Sequence, residues 1–306
     1  MNVLSCFDGM SCTRIALDRL GIPVTNYYAS EIDPYAIKIS KKNYPDIQHV
    51  GDVTKIEASD FAEPIDLIIG GSPCQGFSFA GKQLNFDDPR SKLFFDFVWL
   101  YYELKPKYFL LENVKMKKEC QQIITDYLGV EPIVINSNLV SAQNRHRLYW
   151  TNIPFAGQPT DKNIMLKDIL LDDAVEPMLS NIYGGFGEKK PRVHFDKSVT
   201  IRTASGGGHI PSIAKKAHVI KANYHKSSLA NFTAKNGFRA TGVQVRDKIR
   251  KLDPIECERL QTVPDNYTEG VSNSQRYKML GNGFTVDVIA HLIKPLQKEF
   301  TKRIVA

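Results

Sequence analysis

Apolar and polar positions along the first half of the chain follow two alternating rhythms. Residues 1–7 (MNVLSCF) form a short apolar run that ends at Asp8-Gly9, and residues 13–20 carry apolar positions at helical spacing until Gly21 stops them. The alternation returns with 26–32 (NYYASEI) as a strand ending in acids and 35–43 as a helix. Residues 66–69 (DLII) read as a buried strand cut off by Gly70-Gly71, 92–104 as an aromatic-rich helix, and 108–111 (YFLL) and 133–136 as further strands. Strands separated by helices imply crossover connections and a parallel sheet covered on both faces, hence an α/β fold. In such sheets ligands sit beyond the carboxyl ends of the strands. The polar groups FDG, SEID, GDV, GGSPC and LENV each follow such a strand or close an extended segment.

Between about 160 and 250 this order is lost. Gly184-Gly185, Gly187 and Gly206-Gly207-Gly208 interrupt short β-like pieces such as SVTIRT and HVIKANY, so a smaller, irregular, β-leaning second domain is expected. Helical character returns at 252, where Asp253 caps and Pro254 opens a helix running to Leu260, and 286–300 reads as a final amphipathic helix. The expected division is 1–160 plus 252–306 for the first domain and 161–251 for the second.

Charge sharpens that division. Residues 1–155 hold 16 Lys and Arg against 18 Asp and Glu, whereas 178–251 hold 15 against 3. An excess this concentrated favours a polyanionic partner, nucleic acid above all, over a merely solvated lysine face. No apolar run approaches the ~18 residues of a membrane span. The first residues do not follow the pattern of an export signal, so export is not expected, and the five scattered cysteines (6, 12, 74, 120, 257) suit reduced thiols in the cytoplasm, not disulfides or a zinc site.

Three groups carry candidate chemistry. Cys74 follows a buried strand and sits after a glycine pair and Pro73, a setting for a nucleophile, although a loop cysteine without a role is the commoner case. The polar segment after it, AGKQLNFDDPRSK, has the length of a lid. Glu112 directly follows an apolar strand; against the same pocket as Cys74 it would donate a proton, and otherwise it is an exposed strand-end acid. Arg145 and Arg147, two residues apart on an extended segment, would point to one side as a fork for phosphate or carbonyl oxygens, or form a solvated edge.

Taken in order, FDG (7–9), SEID (30–33), GDV (51–53), GGSPCQGFS (70–78), FDDPRSKLFF (86–95), LENV (111–114), QNRHRLY (143–149), KLDPIECERLQTVPDNY (251–267) and QRYKMLGNGFTVDVI (275–289) closely resemble the DNA (cytosine-5)-methyltransferases. The resemblance covers nearly the whole chain outside about 155–250 and implies a Rossmann-like S-adenosylmethionine-dependent sheet with a target-recognition domain. It implies Cys74 as the thiolate that adds to cytosine C6, with Pro73 shaping its loop. Glu112 would hold the N3 and amine edge, and Arg147, with Arg145 in support, the O2 edge and adjacent backbone.

For the cofactor, S-adenosylmethionine (product S-adenosylhomocysteine), the resemblance implies Phe7 and Gly9 beside the methionine part and Glu31 on the ribose hydroxyls. Ile32 would pack on the adenine, Asp52 would accept from its amine with Val53 alongside, Asn282 would close the pocket, and Leu93 would pack on the cofactor when the loop closes. No metal is implied. The target must leave the duplex stack to be attacked, so the partner is double-stranded DNA with a flipped cytosine. Residues 75–93 would close over it, with Gln75, Ser78, Lys82 and Arg90 as contacts. Lys215, Lys216, Lys221 and Lys226 could track phosphates, and Arg202, Arg239 and Arg246 could read guanine edges or lie in solvent.

Two departures stand out: Ser11-Cys12 replaces a usual glycine pair, and Gly283 stands where a small hydroxyl residue is common. The expected protein is a cytoplasmic enzyme of a prokaryote or phage, acting as a monomer, in a restriction-modification, phage or solitary setting. A transfer-RNA cytosine-5 methyltransferase shares the motif set, and an inactive nucleic-acid-binding relative is a more distant alternative. A cysteine hydrolase is remote, because no histidine lies in a recognisable setting.

Overall fold

The computed structural model describes residues 1–73, 89–171, 174–180, 192–194, 196–201, 212–215 and 249–302. The chain groups into two compact units, one of Met1–Asn136, His146–Pro159 and Phe284–Ala306, the other of Ser137–Arg145 and Thr160–Gly283. Residues 252–283 therefore group with the segment that the sequence assigned to the second domain.

In the first unit the strands are β1 Asn2–Cys6, β2 Asn26–Ser30, β3 Gln48–Gly51, β4 Leu67–Gly70, β5 Tyr108–Val114, β6 Ile133–Asn136 and β7 His146–Thr151. They form one sheet in the order β3-β2-β1-β4-β5-β7-β6. Strands β3, β2, β1, β4 and β5 run parallel, as the crossover pattern predicts, whereas β7 runs antiparallel to both β5 and β6. The order reverses direction between β1 and β4, the kind of switch point beside which α/β sheets bind ligands beyond the strands' carboxyl ends.

Local signals set the helices. In α1 (Cys12–Arg19) apolar residues at helical spacing are buried, and Gly21 follows at φ 61. In α2 (Pro34–Asn43), Asp33 accepts a hydrogen bond from the Tyr35 N–H and Pro34 occupies the first turn. Helices α3 (Pro89–Leu104) and α4 (Lys118–Leu128) bury Phe94, Phe97, Leu100 and Ile124 against Ile68, Phe109, Leu111, Leu148 and Trp150 in one core. The expected helix over 286–300 is interrupted. Its pieces are Val286–Ile293, a 3-10 turn Lys294–Leu296 and Gln297–Lys302, because Pro295 has no N–H to continue the ladder. The first piece packs on α1, with Arg19 paired to Asp287 at 2.5 Å.

The second unit has an antiparallel sheet of Ile249–Lys251, Ser212–Lys215, Ala174–Ser180 and Arg192–His194, in that order. Its helix Pro254–Leu260 starts as the sequence indicates: Asp253 accepts from Ile255 N–H while Glu256 accepts from Asp253 N–H. Glu258 on this helix is fully buried and accepts from Asn266 N, Thr268 N and Thr268 Oγ1, and pairs with Arg276 at 2.9 Å. A buried carboxylate with this many donors is stable only while its charged partner remains. Arg276→Met should therefore lower stability by about 3–5 kcal/mol, read as a clear drop in thermal midpoint; an unchanged midpoint would contradict this account.

Candidate active site

Strand β4 ends in Gly70-Gly71 because neither position has room for a side chain. A Cβ on Gly70 would lie 3.1 Å from the Cys6 carbonyl oxygen and from the Phe97 ring, and one on Gly71 would lie 2.8 Å from Phe284 and 3.2 Å from Glu112 Oε2. The chain can therefore run close over the end of β5 before it turns at Ser72-Pro73. Asn113, buried in β5, holds that turn: its Nδ2 donates to Ser72 Oγ at 3.2 Å and to the Ser72 carbonyl at 3.4 Å.

Glu112 lies inside β5, not after it, because the strand continues to Val114. It sits opposite Tyr149 of β7, so Arg147, two residues along β7, shares its face as a diagonal neighbour. Arg147 Nε meets Glu112 Oε1 at 2.9 Å, with the two side chains 13% and 12% exposed. Arg147 Nη1 also donates to the His146 carbonyl. The carboxylate is thus fixed through one oxygen, while the other faces the side-chain-free surface of Gly71.

A second constellation surrounds the ends of β1 and β2. The turn after β1 is left-handed at Phe7 (φ 57), Gly9 (φ 61) and Ser11 (φ 66). Gly9 N–H donates to Glu31 Oε2 at 2.8 Å, and Ile32 and Asp33 N–H groups both donate to Glu31 Oε1 at 2.8 Å. Three backbone donors set this carboxylate in one orientation. Beside it Ile32 is 72% exposed, a large apolar surface on a polar rim. Asp52 caps the turn Val53–Lys55 by accepting from Thr54 N and Thr54 Oγ1 at 3.0 and 2.9 Å. Val53 is buried in the core, and Phe7 and Leu93 pack against that core from its edge.

These features fit the cofactor implied by the sequence. A Cβ on Gly9 would meet nothing within 4 Å, so the backbone there is open to a ligand. The oriented Glu31 carboxylate suits a vicinal diol, and the exposed Ile32 side chain suits a flat apolar ring.

Other expected residues lie elsewhere. Arg145 and Asn282 belong to the second unit. Arg145 is 3% exposed and its guanidinium donates to the carbonyls of Ile201, Gly281 and Gly283, at 3.0 to 3.3 Å. Its donors are therefore directed at the end of the helix Asn273–Asn282, whereas Arg147 pairs with Glu112, so the two arginines do not form the expected fork. Asn282 is the last residue of that helix. Cys74, Gln75, Ser78, Lys82, Arg202, Lys216, Lys221, Lys226, Arg239 and Arg246 lie outside the described residues. Only the backbone of Arg90 and Lys215 is described, in a helix and a strand.

Several neighbours of the site were not anticipated from sequence. Asp96 on α3 has its carboxyl pushed up by burial and then by the charge of Asp52. Phe284 covers Gly71, and Asn113 anchors Ser72. The asparagine was legible as part of LENV; the other two depend on contacts between distant segments. Among the described residues no His, Cys, Asp and Glu group is arranged to hold a metal ion, and no helix is long and apolar enough to cross a membrane.

Comparison with known proteins identifies the family. The model of the C-5 cytosine-specific DNA methylase family matches residues 1–298. The Type II methyltransferase M1.ScrFI of Lactococcus lactis subsp. cremoris is 30% identical over 305 residues, covering 94% of this chain and 75% of that protein. Type II methyltransferase M.HhaI of Haemophilus parahaemolyticus is 27% identical over 316 residues, covering 95% and 93%. Among solved structures, a mutant of DNMT2 from Spodoptera frugiperda superposes with a TM-score of 0.69 at 19% identity, covering 96% of this chain and 99% of that one. EhMeth of Entamoeba histolytica gives 0.67 at 20% identity and covers 98% of each chain. The structural likeness establishes a shared α/β methyltransferase fold, and the family match covers almost the full length. This chain belongs to the C-5 cytosine-specific DNA methylase family.

Proposed function

We propose that the protein methylates C5 of a flipped cytosine in duplex DNA through a covalent bond between Cys74 and C6. The observation that carries the proposal is the Glu112–Arg147 pair, fixed beside Gly71 at the point where the chain turns toward Pro73 and Cys74. Duplex DNA is preferred to transfer RNA because the matching family model is that of DNA methylases, while the 15 basic against 3 acidic residues of 178–251 suit a nucleic-acid backbone of either kind. That stretch is the proposed target-recognition region. Lys215, Lys216, Lys221 and Lys226 would meet phosphates there, and Arg202, Arg239 and Arg246 would meet bases. Gln75, Ser78, Lys82 and Arg90 would contact the DNA around the extruded base. The names of the Type II relatives place a restriction-modification context among the settings to test.

Cytosine C5 is a weak nucleophile. When the Cys74 thiolate bonds to C6, the C5=C6 electron pair moves to C5 and negative charge develops across the ring. Glu112 keeps a proton at N3 and accepts from the exocyclic amine, while Arg147 holds Glu112 and lies toward the O2 edge. C5 then takes up the methyl group, its proton leaves to a base, and departure of Cys74 restores the double bond. S-adenosylmethionine, when bound, supplies that methyl group in electrophilic form. Glu31 would hold its ribose hydroxyls, Ile32 and Asp52 its adenine, and Phe7, Gly9, Val53 and Leu93 would line the remainder. Asn282 is the other residue that the resemblance assigns to it. Arg145 donates to the Gly281 and Gly283 carbonyls, on either side of Asn282 in its own unit.

Incubation with tritiated S-adenosylmethionine and unmethylated duplex DNA should place label on cytosine C5, and Cys74→Ser should abolish it. A covalent complex with DNA containing 5-fluorocytosine should form with the wild type only. Label on transfer RNA but not on duplex DNA would select the alternative substrate, and full activity of Cys74→Ser would refute the covalent route.

Glu112→Gln should reduce kcat by about 10²–10³-fold with little change in cofactor KM, the usual cost of removing one preorganised transition-state contact. Arg147→Ala should act in the same direction. A kcat for both variants within about threefold of wild type would exclude the assigned role, since such a change is under 1 kcal/mol.

A further inference from the structure

Beneath the turn that carries Gly9 lies a buried polar chain that catalysis does not use. Asp8 is 6% exposed and accepts from Tyr27 Oη at 2.6 Å through Oδ1. Ser11 Oγ lies 2.6 Å from Asp8 Oδ2 and 2.7 Å from Ser40 Oγ, and Ser40 Oγ lies 3.3 Å from His49 Nε2. A hydroxyl carries one proton, so with Asp8 ionised Ser11 donates to Asp8 and accepts from Ser40. The chain links the turn after β1, strand β2, helix α2 and strand β3 through one carboxylate.

Ser11 gives this chain its purpose. It stands at φ 66, ψ 41, a left-handed conformation that suits glycine, and its side chain makes no cap bond to α1. Its hydroxyl turns inward to Asp8 instead. Backbone bonds complete the closure, with Ser11 N–H donating to the Asp8 carbonyl at 3.1 Å and Asp8 N–H to the Ser30 carbonyl at 2.9 Å. Between these two residues Gly9 presents its N–H to Glu31.

We infer that Tyr27, Ser11 and Ser40, acting through Asp8, are positioning residues for the cofactor turn: they hold Ser11 left-handed and thereby fix Gly9 against Glu31. The inference rests on the proposed assignment of Gly9 and Glu31 to the cofactor. The device is sensitive to protons. Burial pushes the Asp8 carboxyl up to about 6, against the Ser11 and Tyr27 hydroxyls, which favour its ionised form, and Glu31 raises it further. The other titratable groups facing it are the Cys6 thiol and the Tyr27 phenol, both pushed up by burial and by Asp8. His49, at the far end of the chain, is lowered by burial and then by Lys41. A protonated Asp8 must donate from one oxygen, so one of its two accepted bonds reverses or breaks and the turn loosens.

Two readouts then move in opposite directions. Cofactor affinity should fall as pH drops through about 6, where Asp8 takes up its proton. Stability has the reverse sign: the folded carboxyl binds its proton more tightly than the unfolded one, so its contribution is present in acid and is lost as pH rises through about 6. A purely structural role would move only the second.

Titration calorimetry of the full chain with S-adenosylhomocysteine, between about pH 5 and about pH 7.5, tests this without methyl transfer. At pH 7.5 Ser11→Ala should weaken binding by about five- to tenfold and Ser40→Ala by a smaller factor, whereas Ser11→Gly, free of strain, should stay within about threefold of wild type. Asp8→Asn should bind weakly at every pH and lose the step near 6, and the midpoint of wild type relative to Asp8→Asn should fall as pH rises. Wild-type binding that is independent of pH and unchanged in Ser11→Ala and Asp8→Asn would overturn the inference while leaving the cofactor assignment intact. A wild type that binds no S-adenosylhomocysteine at any pH would remove the cofactor assignment, and the inference with it.

Discussion

Close approach at Gly70-Gly71 is the steric condition on which the reactive end of the sheet depends. With no side chain at either position, the end of β4 lies against the Cys6 carbonyl, the Phe97 ring, the Phe284 ring and Glu112 Oε2, all inside ordinary Cβ contact distance. A methyl group at Gly71 would displace either an aromatic ring or the carboxylate. Ser72 can then reach Asn113, and the direction in which the chain leaves the sheet is fixed two residues before Cys74. The core beneath is tightly filled, with Phe97 and Trp150 fully buried, so there is little slack to absorb a shift.

Three carboxylates near the strand ends are managed in three different ways. Glu31 accepts three backbone N–H groups and stands on the rim with a fixed orientation. Glu112 is held by one arginine across a strand pair, with its second oxygen against Gly71, where there is no side chain. Asp8 is buried under the turn, where it accepts from the Ser11 and Tyr27 hydroxyls, and burial pushes its carboxyl up to about 6.

Much of this was legible along the chain. Apolar runs, glycine stops and the Asp253-Pro254 cap located β1, β2, β4, β6 and the helix Pro254–Leu260 within a residue or two, because such signals act between near neighbours. The motif order identified the family, and the charge asymmetry singled out 178–251. Other features escaped. Pro295 breaks a stretch whose amphipathic pattern reads as one continuous helix. Strand β7 was not expected to run antiparallel, and Glu112 was placed after β5 instead of within it.

The sequence by itself determined the alternating α/β order, the family, and which acids, glycines and arginines stand at the strand ends. Tertiary structure decided what those groups meet. Arg145 and Arg147 are chemically alike and two residues apart. Yet one is satisfied by the carbonyls of Ile201, Gly281 and Gly283, and the other by Glu112. Ser11 looked like the loss of a glycine and proved to be a hydroxyl buried between Asp8 and Ser40. The reason is physical: propensity and spacing act over a few residues, whereas a buried polar group takes its partner from whichever segment the packed core brings within 3 Å or so.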